Sequence, residues 1–214
     1  DVITYNTSSK AYIKSVTSQS TFVVTTATGA TPGNVSGQTV NSIKRVFNDI
    51  ATAESSSSGA SYLTTTNLAA GNLTLTWVCY NDGPFNVAAT TSIAGWVADS
   101  TRFITLTAAG ASQVVSGVSQ RHTGTAGTGA RMEATGAGNY SLLYVSTNYT
   151  CVEWLELDGN DLVNVGGIYV DSNADYSLYR NLIIHNLDGD TLSANGFMVA
   201  SGANNVQIRN TMVY

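Results

Sequence analysis

The segment Gly166–Tyr214, GGIYVDSNADYSLYRNLIIHNLDGDTLSANGFMVASGANNVQIRNTMVY, states one loose pattern twice. A Gly leads into a short apolar run, polar turn residues follow, and a second apolar run closes the unit. Asn148–Gly159 aligns with Asp175–Asn186 at a step of 27 residues (148 to 175). Arg180-Asn181 returns at Arg209-Asn210, and Gly167–Val170 at Gly196–Val199, each at a step of 29 (180 to 209, 167 to 196). A period in the high twenties that carries short strands and no helix predicts a solenoid, each strand pairing with its copy one coil further on. A leucine-rich repeat has a similar period, but its fixed Leu and Asn pattern is absent. The expectation is an all-β chain wound as a right-handed parallel β-helix, with Leu155 stacked on Leu182.

Composition agrees with extended structure. Only 11% of the 214 residues are charged, against about 25% in ordinary globular proteins. Thr, Val, Ile, Tyr and Asn are abundant, and polar turns separate the apolar runs. The net charge of −5 and the scatter of the nine Lys and Arg residues exclude a nucleic-acid surface, which needs clustered cations. No apolar run approaches the roughly 18 residues of a membrane span, and Asp1–Lys10 lacks the basic-then-apolar pattern of a secretory signal. Cys79 and Cys151 each sit in an apolar run and read as buried free thiols in preference to a disulfide.

Ahead of the repeat, Tyr12–Val16 and Thr21–Thr25 alternate as two strands of a hairpin across Thr17–Ser20, with Ile3 and Tyr5 in a third strand. Thr31–Asn34 closes this module, which gives residues 1–33 as an attachment module and 34–214 as a capping helix plus β-helix. The helix is read from Val40, Ile43, Phe47 and Ile50 at helical spacing, with Thr39 as N-cap, the serines after Glu54 as its stop and Lys44-Arg45 on its solvent face. From Leu73 onward the chain reads as strand, broken by a Gly-, Ser- and Thr-rich surface excursion between Gly110 and Gly138. The C-terminus stops inside a strand, so further coils or a partner are expected beyond Tyr214.

The stretch Thr39–Asp158 resembles β-helix proteins of the pectate-lyase-like superfamily found in phage virions and among secreted bacterial surface proteins. The matching pieces are VNSIKRVFNDI, VCYNDG, IAGWVADSTRFITLTAAG, QRHTG and YVSTNYTCVEWLELDGND. The resemblance implies architecture far more than activity, since such folds serve enzymes, adhesins and passive fibres. It gives the helix the work of capping an open solenoid end.

Chemistry is sparse. Glu156 and Asp158 share a strand face, and the 27-residue step stacks them on Ile183 and His185. Glu156, Asp158 and His185 therefore form a loose acid–base trio, although solvated rim residues are the reading favoured for them. His122 stands alone in a Gly/Thr loop. Asp158, Asp161, Asp171, Asp175, Asp188 and Asp190 lie in turns and offer hard oxygen ligands for Ca²⁺, yet none has EF-hand spacing, and Asp favours turns for backbone reasons. The expectation is therefore no catalytic site, no bound metal and no cofactor. The aromatics, among them Trp77, Trp96, Trp154, Tyr144, Tyr149, Tyr169, Tyr176 and Tyr179, suit either sugar stacking or packing within the coils.

The resulting expectation is a virion-surface or extracellular structural protein of the tail-fibre or tailspike kind, a homo-oligomer, displaying a β-helix for attachment. Other surface proteins would bind the N-terminal module, and a host polysaccharide is a candidate ligand. A polysaccharide lyase or hydrolase and a bacterial adhesin or filament subunit are the alternatives.

Overall fold

The computed structural model describes residues 1–18, 20–114, 116–189 and 195–214. The chain divides into two compact units, Asp1–Thr65 and Thr66–Tyr214.

The first unit is an antiparallel sheet with one helix. β1 (Val2–Tyr5), β2 (Ser9–Ser18), β3 (Thr21–Thr25) and β4 (Val40–Lys44) lie in the order β3-β2-β1-β4. The three expected strands are present; of the expected turn, Gln19 lies outside the described residues. The helix is displaced from its expected place. Val40–Lys44 is an edge strand, with Ile43 opposite Ile3, and Val40 and Ile43 are exposed. A four-residue apolar stripe is compatible with both periods, and β-branched side chains beside a free β1 edge favour the sheet. Lys44 thus belongs to a strand, and Arg45 bonds the Asp1 carboxylate at 2.7 Å.

Helix α1 spans Ile50–Ser57, and its N-cap is Asp49, not Thr39. The Asp49 carboxylate accepts from the Thr52 amide at 2.6 Å and the Thr52 hydroxyl at 2.8 Å. The serines expected to stop the helix lie within it, because Ser55 and Ser57 donate back to the carbonyls of Ala51 and Ala53, a bond the hydroxyl can make without leaving helical geometry. Phe47 and Tyr12 each pack on the Tyr62 ring.

The second unit is a parallel β-solenoid. It opens with a short helix, α2 (Leu68–Gly71), whose Leu68 is fully buried. The first coil holds β5 (Leu75–Cys79), β6 (Phe85–Val87) and β7 (Thr91–Ile93). The second holds β8 (Ile104–Ala108), β9 (Arg131–Ala134) and β10 (Tyr140–Val145), and the third β11 (Thr150–Glu153), β12 (Glu156–Val163) and β13 (Val165–Val170). The fourth holds β14 (Leu178–Arg180), β15 (Ile183–Asp188) and β16 (Phe197–Val199), and the fifth begins with β17 (Gln207–Arg209) and β18 (Met212–Val213). They form three sheets, β5-β8-β11-β14-β17, β6-β9-β12-β15-β18 and β7-β10-β13-β16. No helix among the described residues is long and apolar enough to cross a membrane.

Both steps read from the sequence are present as registers. Glu156 pairs with Ile183 and Asp158 with His185, a step of 27 (156 to 183); Ile168 pairs with Phe197 and Arg180 with Arg209, a step of 29 (168 to 197). The second coil is longer, since Ile104 pairs with Thr150, a step of 46 (104 to 150). Its extra length is the excursion after Ala108, which ends earlier than expected: Arg131–Ala134 is strand β9, inside the stretch read as surface loop.

Alternate residues of each strand point inward and stack in columns. Trp77, Leu106, Val152 and Tyr179 form one, and Met132, Leu157 and Ile184 a second. Ile93, Val145 and Val170 form the third, and the members of all three are buried. The columns end at Val199 in the fourth coil and at Ile208 and Val213 in the fifth, all three exposed.

The corners between strands repeat a left-handed backbone residue. Trp154, Asn181 and Asn210, with φ of 60°, 52° and 46°, turn each chain from the first sheet into the second. Tyr149, Tyr176 and Asn205, with φ of 54°, 56° and 56°, precede the first strand of successive coils. Asn tolerates this conformation better than other non-glycine residues. Bulky side chains do not, and the tyrosines are supported instead by stacking on one another with ring centres 5.0 Å apart and 6° between planes. Asn181→Ala is expected to lower stability by about 1–2 kcal/mol, the cost of a β-carbon in left-handed backbone, whereas Asn181→Gly should lose less. Equal urea midpoints for the two variants would show that the corner is not constrained by φ.

Candidate functional site

The second sheet brings the expected trio together. Inward-pointing Met132, Leu157 and Ile184 alternate with residues on the outer face, where Arg131 neighbours Glu156 and where Glu133, Asp158 and His185 lie in one row. His185 Nε2 is 2.8 Å from Glu156 Oε1, and His185 Nδ1 is 3.9 Å from Asp158 Oδ1. Arg131 reaches Glu133 at 2.6 Å, Asp158 at 3.4 Å and Glu156 at 3.8 Å.

These are not the solvated rim groups expected from the sequence. Glu156 is 0% exposed, and Asp158 and His185 are each 5% exposed. The excursion from the second coil supplies part of the cover: the Gly127 amide donates to Glu156 Oε2 at 2.7 Å. On the far side, the Tyr214 ring stacks on His185 with centres 5.5 Å apart. Asp158 also accepts from the Asn160 amide and the Asn186 side chain, both at 2.9 Å. Every carboxylate of the trio therefore has several donors, as buried charge requires.

His122 does not stand alone. It is buried, and its Nε2 lies 2.7 Å from the Asn181 carbonyl in the fourth coil. A carbonyl can only accept, so Nε2 carries the proton, and Nδ1 accepts from the Gly124 amide at 3.3 Å. The imidazole packs against Trp154, over which the Arg121 guanidinium sits 4.9 Å from the ring centre. Gly129 allows the fold-back, because a β-carbon there would approach the His122 amide nitrogen to 2.4 Å. The excursion is thus a strap from the second coil, tied to the third at Trp154 and Glu156 and to the fourth at Asn181.

Glu156, Asp158 and His185 place one ligand atom each within 4.8 Å of one another, the one such group of metal-ligating side chains among the described residues. Arg131 already compensates the two carboxylates, so a cation would have to displace its guanidinium. The other candidate ligands do not join this group, and Asp161 and Asp188 lie in strands β12 and β15, not in the turns expected. Asp161 and Asp188 are exposed, Asp175 accepts from the Asn204 amide at 2.6 Å, and Asp171 accepts from the Asn173 amide and side chain. Asp190 lies outside the described residues. Arg131 and Glu133, which complete the cluster, were missed because they fell in the presumed loop; the alternation Arg131-Met132-Glu133-Ala134 was the signal available.

A second feature is open. A groove of about 510 Å³ runs along the third sheet, its lining drawn from Thr90, Asn139, Ser141, Tyr144, Tyr169 and Asp171, with Tyr140 and Met198 beside them. Tyr144 and Tyr169 are register neighbours and stack with centres 5.6 Å apart. The Asp171 carboxyl is held below the usual carboxylate range, chiefly by the Asn173 amide, with the Tyr144 hydroxyl among the other donors. The remaining aromatics divide between core and corners: Trp77 and Trp96 pack edge to face at 6.1 Å, and Tyr179 is fully buried.

Cys79 and Cys151 are free thiols. Burial pushes Cys79 up to about 12. Burial and then the Glu153 carboxylate push Cys151 up to about 11. The thiolate is the nucleophile, so at pH 8 both should react slowly with an aromatic disulfide reagent in the folded protein and rapidly in urea; fast reaction of Cys79 before unfolding would contradict its placement. Glu156→Ala, which strands the His185 ring and the Gly127 amide, should cost about 3 kcal/mol and speed hydrogen exchange at Gly127, with Glu156→Gln losing less. Unchanged exchange at Gly127 in Glu156→Ala would mean that the strap is held elsewhere.

No protein-family model, curated protein or solved structure matches this chain.

Proposed function

We propose that this chain is an attachment and display element, a β-solenoid of the tail-fibre or tailspike kind carried on a virion or another extracellular surface. One observation carries the reading. The converged acid–base groups Glu156, Asp158 and His185 are buried and spent on bonds between coils, so they work as structural ties. The resemblance of Thr39–Asp158 to β-helix proteins of virions and secreted surface proteins adds support. In this reading the solenoid winds right-handed, the N-terminal sheet joins it to other surface proteins, a helix covers its first coil, and the working assembly is a homo-oligomer. A bacterial adhesin or filament subunit would use the same parts in the same way.

The rival reading is a polysaccharide lyase or hydrolase. The observation favouring it is the convergence itself, since two carboxylates, an imidazole and Arg131 within hydrogen-bond reach are the components of acid–base catalysis. Catalysis there requires the strap to lift from Glu156. Incubating the protein with bacterial capsular and plant polysaccharides, and following new reducing ends and unsaturated products, separates the readings. Attachment predicts no product from any substrate. Cleavage that disappears in Glu156→Gln or Asp158→Asn would establish the enzyme.

A further inference from the structure

The groove on the third sheet has the make-up of a binding site. Its lining spans four coils, from Thr90 beside the first to Met198 in the fourth, with Tyr144 and Tyr169 between. Four strands about 4.8 Å apart cover roughly 14 Å along the solenoid axis. That length suits a linear ligand of several units better than a single small molecule.

The chemistry of the lining narrows the ligand. Thr90, Ser141 and Tyr169 make no side-chain hydrogen bond among the described residues, leaving three hydroxyls able to donate or accept. Asp171 adds an acceptor, and the hydrogen bonds it receives keep it ionised at neutral pH. Among the described residues no Lys or Arg lines the groove, so an anionic chain would meet a carboxylate with no compensating cation in that lining. Tyr144 and Tyr169 are half-buried and bring apolar rings with polar tips. A peptide is a poor fit. The two inner strands beneath the groove, β10 and β13, have committed their backbone groups to neighbours on both sides, so a peptide lying along the groove finds no edge to pair with there.

We propose that this groove binds an uncharged oligosaccharide and discriminates against acidic ones. The inference rests on the attachment reading and gives that attachment a chemical class of receptor. Hydroxyl-rich chains donate to Asp171 and exchange hydrogen bonds with Ser141, Thr90 and the tyrosine hydroxyls. Their apolar ring faces lie on the tyrosine edges and Met198.

The test is titration calorimetry of the 214-residue protein with cellohexaose, maltohexaose, mannohexaose, chitohexaose and hexagalacturonate, with Tyr169→Ala and Ser141→Ala as variants. Folding of the variants is checked by their melting curves. The expected result is saturable binding of at least one uncharged hexamer, at least tenfold weaker in Tyr169→Ala, with hexagalacturonate not bound. Binding of hexagalacturonate alone, binding unchanged in both variants, or no binding by any hexamer at millimolar concentration would overturn the proposal. Products detected by chromatography after the titration would instead overturn the attachment reading, and the dependence on Tyr169 would still decide the groove.

Discussion

No coil of the solenoid has a core of its own. A coil is three short strands and their corners, and its inward side chains are covered only because the coils on either side supply the same kind of side chain at the same place. The columns through Leu106, Leu157 and Val145 are therefore the interaction on which the rest depends. They are buried through three or four coils and become exposed at Val199, Ile208 and Val213, where a neighbour on one side is missing from the described structure. In such an architecture stability is a sum of interfaces between adjacent coils, and anything that fixes one coil's register on the next acts on the whole stack.

The corners and the buried charges both serve that purpose. Left-handed residues recur at equivalent places, and their amides donate across the coil boundary, as Trp154 does to Arg180 and Asn181 to Arg209. The polar ties cross the same boundaries. Glu153 bridges Thr107 and Arg180 at 3.1 and 2.6 Å, spanning three coils in one row. Glu156 links the strap of the second coil to His185 of the fourth. Burying these groups costs several kcal/mol of desolvation each, and the compensation is geometric: a carboxylate held between donors from different coils accepts one register and rejects a slip by one residue, which would turn every side chain to the wrong face.

The period was legible in the sequence because it is a property of neighbours in space repeated along the chain. Alignment of Asn148–Gly159 with Asp175–Asn186 was enough to place Glu156 on Ile183 and Asp158 on His185. Burial of that trio was not legible, since it depends on an excursion of one coil whose anchors, Arg121, His122 and Gly127, sit in a Gly-, Ser- and Thr-rich stretch without periodicity. The helix was misplaced for a different reason. Val40, Ile43 and Phe47 fit a helical stripe, but the backbone of β1 offered a pairing edge that no local pattern records, and the true start lay in the Asp49–Thr52 cap. Trp154 in a left-handed corner was also hidden, because the residue type argues against the conformation and only its packing with His122 and Arg121 accounts for it.

The two polar regions of the solenoid differ in what their groups are left to do. Around Glu156, carboxylates, imidazole and guanidinium satisfy one another beneath a strap, and a ligand would have to break bonds already made before gaining any. Along Tyr144 and Tyr169 the hydroxyls of Ser141, Thr90 and Tyr169 make no side-chain hydrogen bond among the described residues, so a ligand exchanges bonds to water for bonds to the protein at little cost of reorganisation. The residue types in the first region are those associated with catalysis, and those in the second are unremarkable for a β-rich surface. Commitment of the groups, more than their identity, separates a fastening from a binding face, and on a stack of coils the two can sit on adjacent sheets of the same turn.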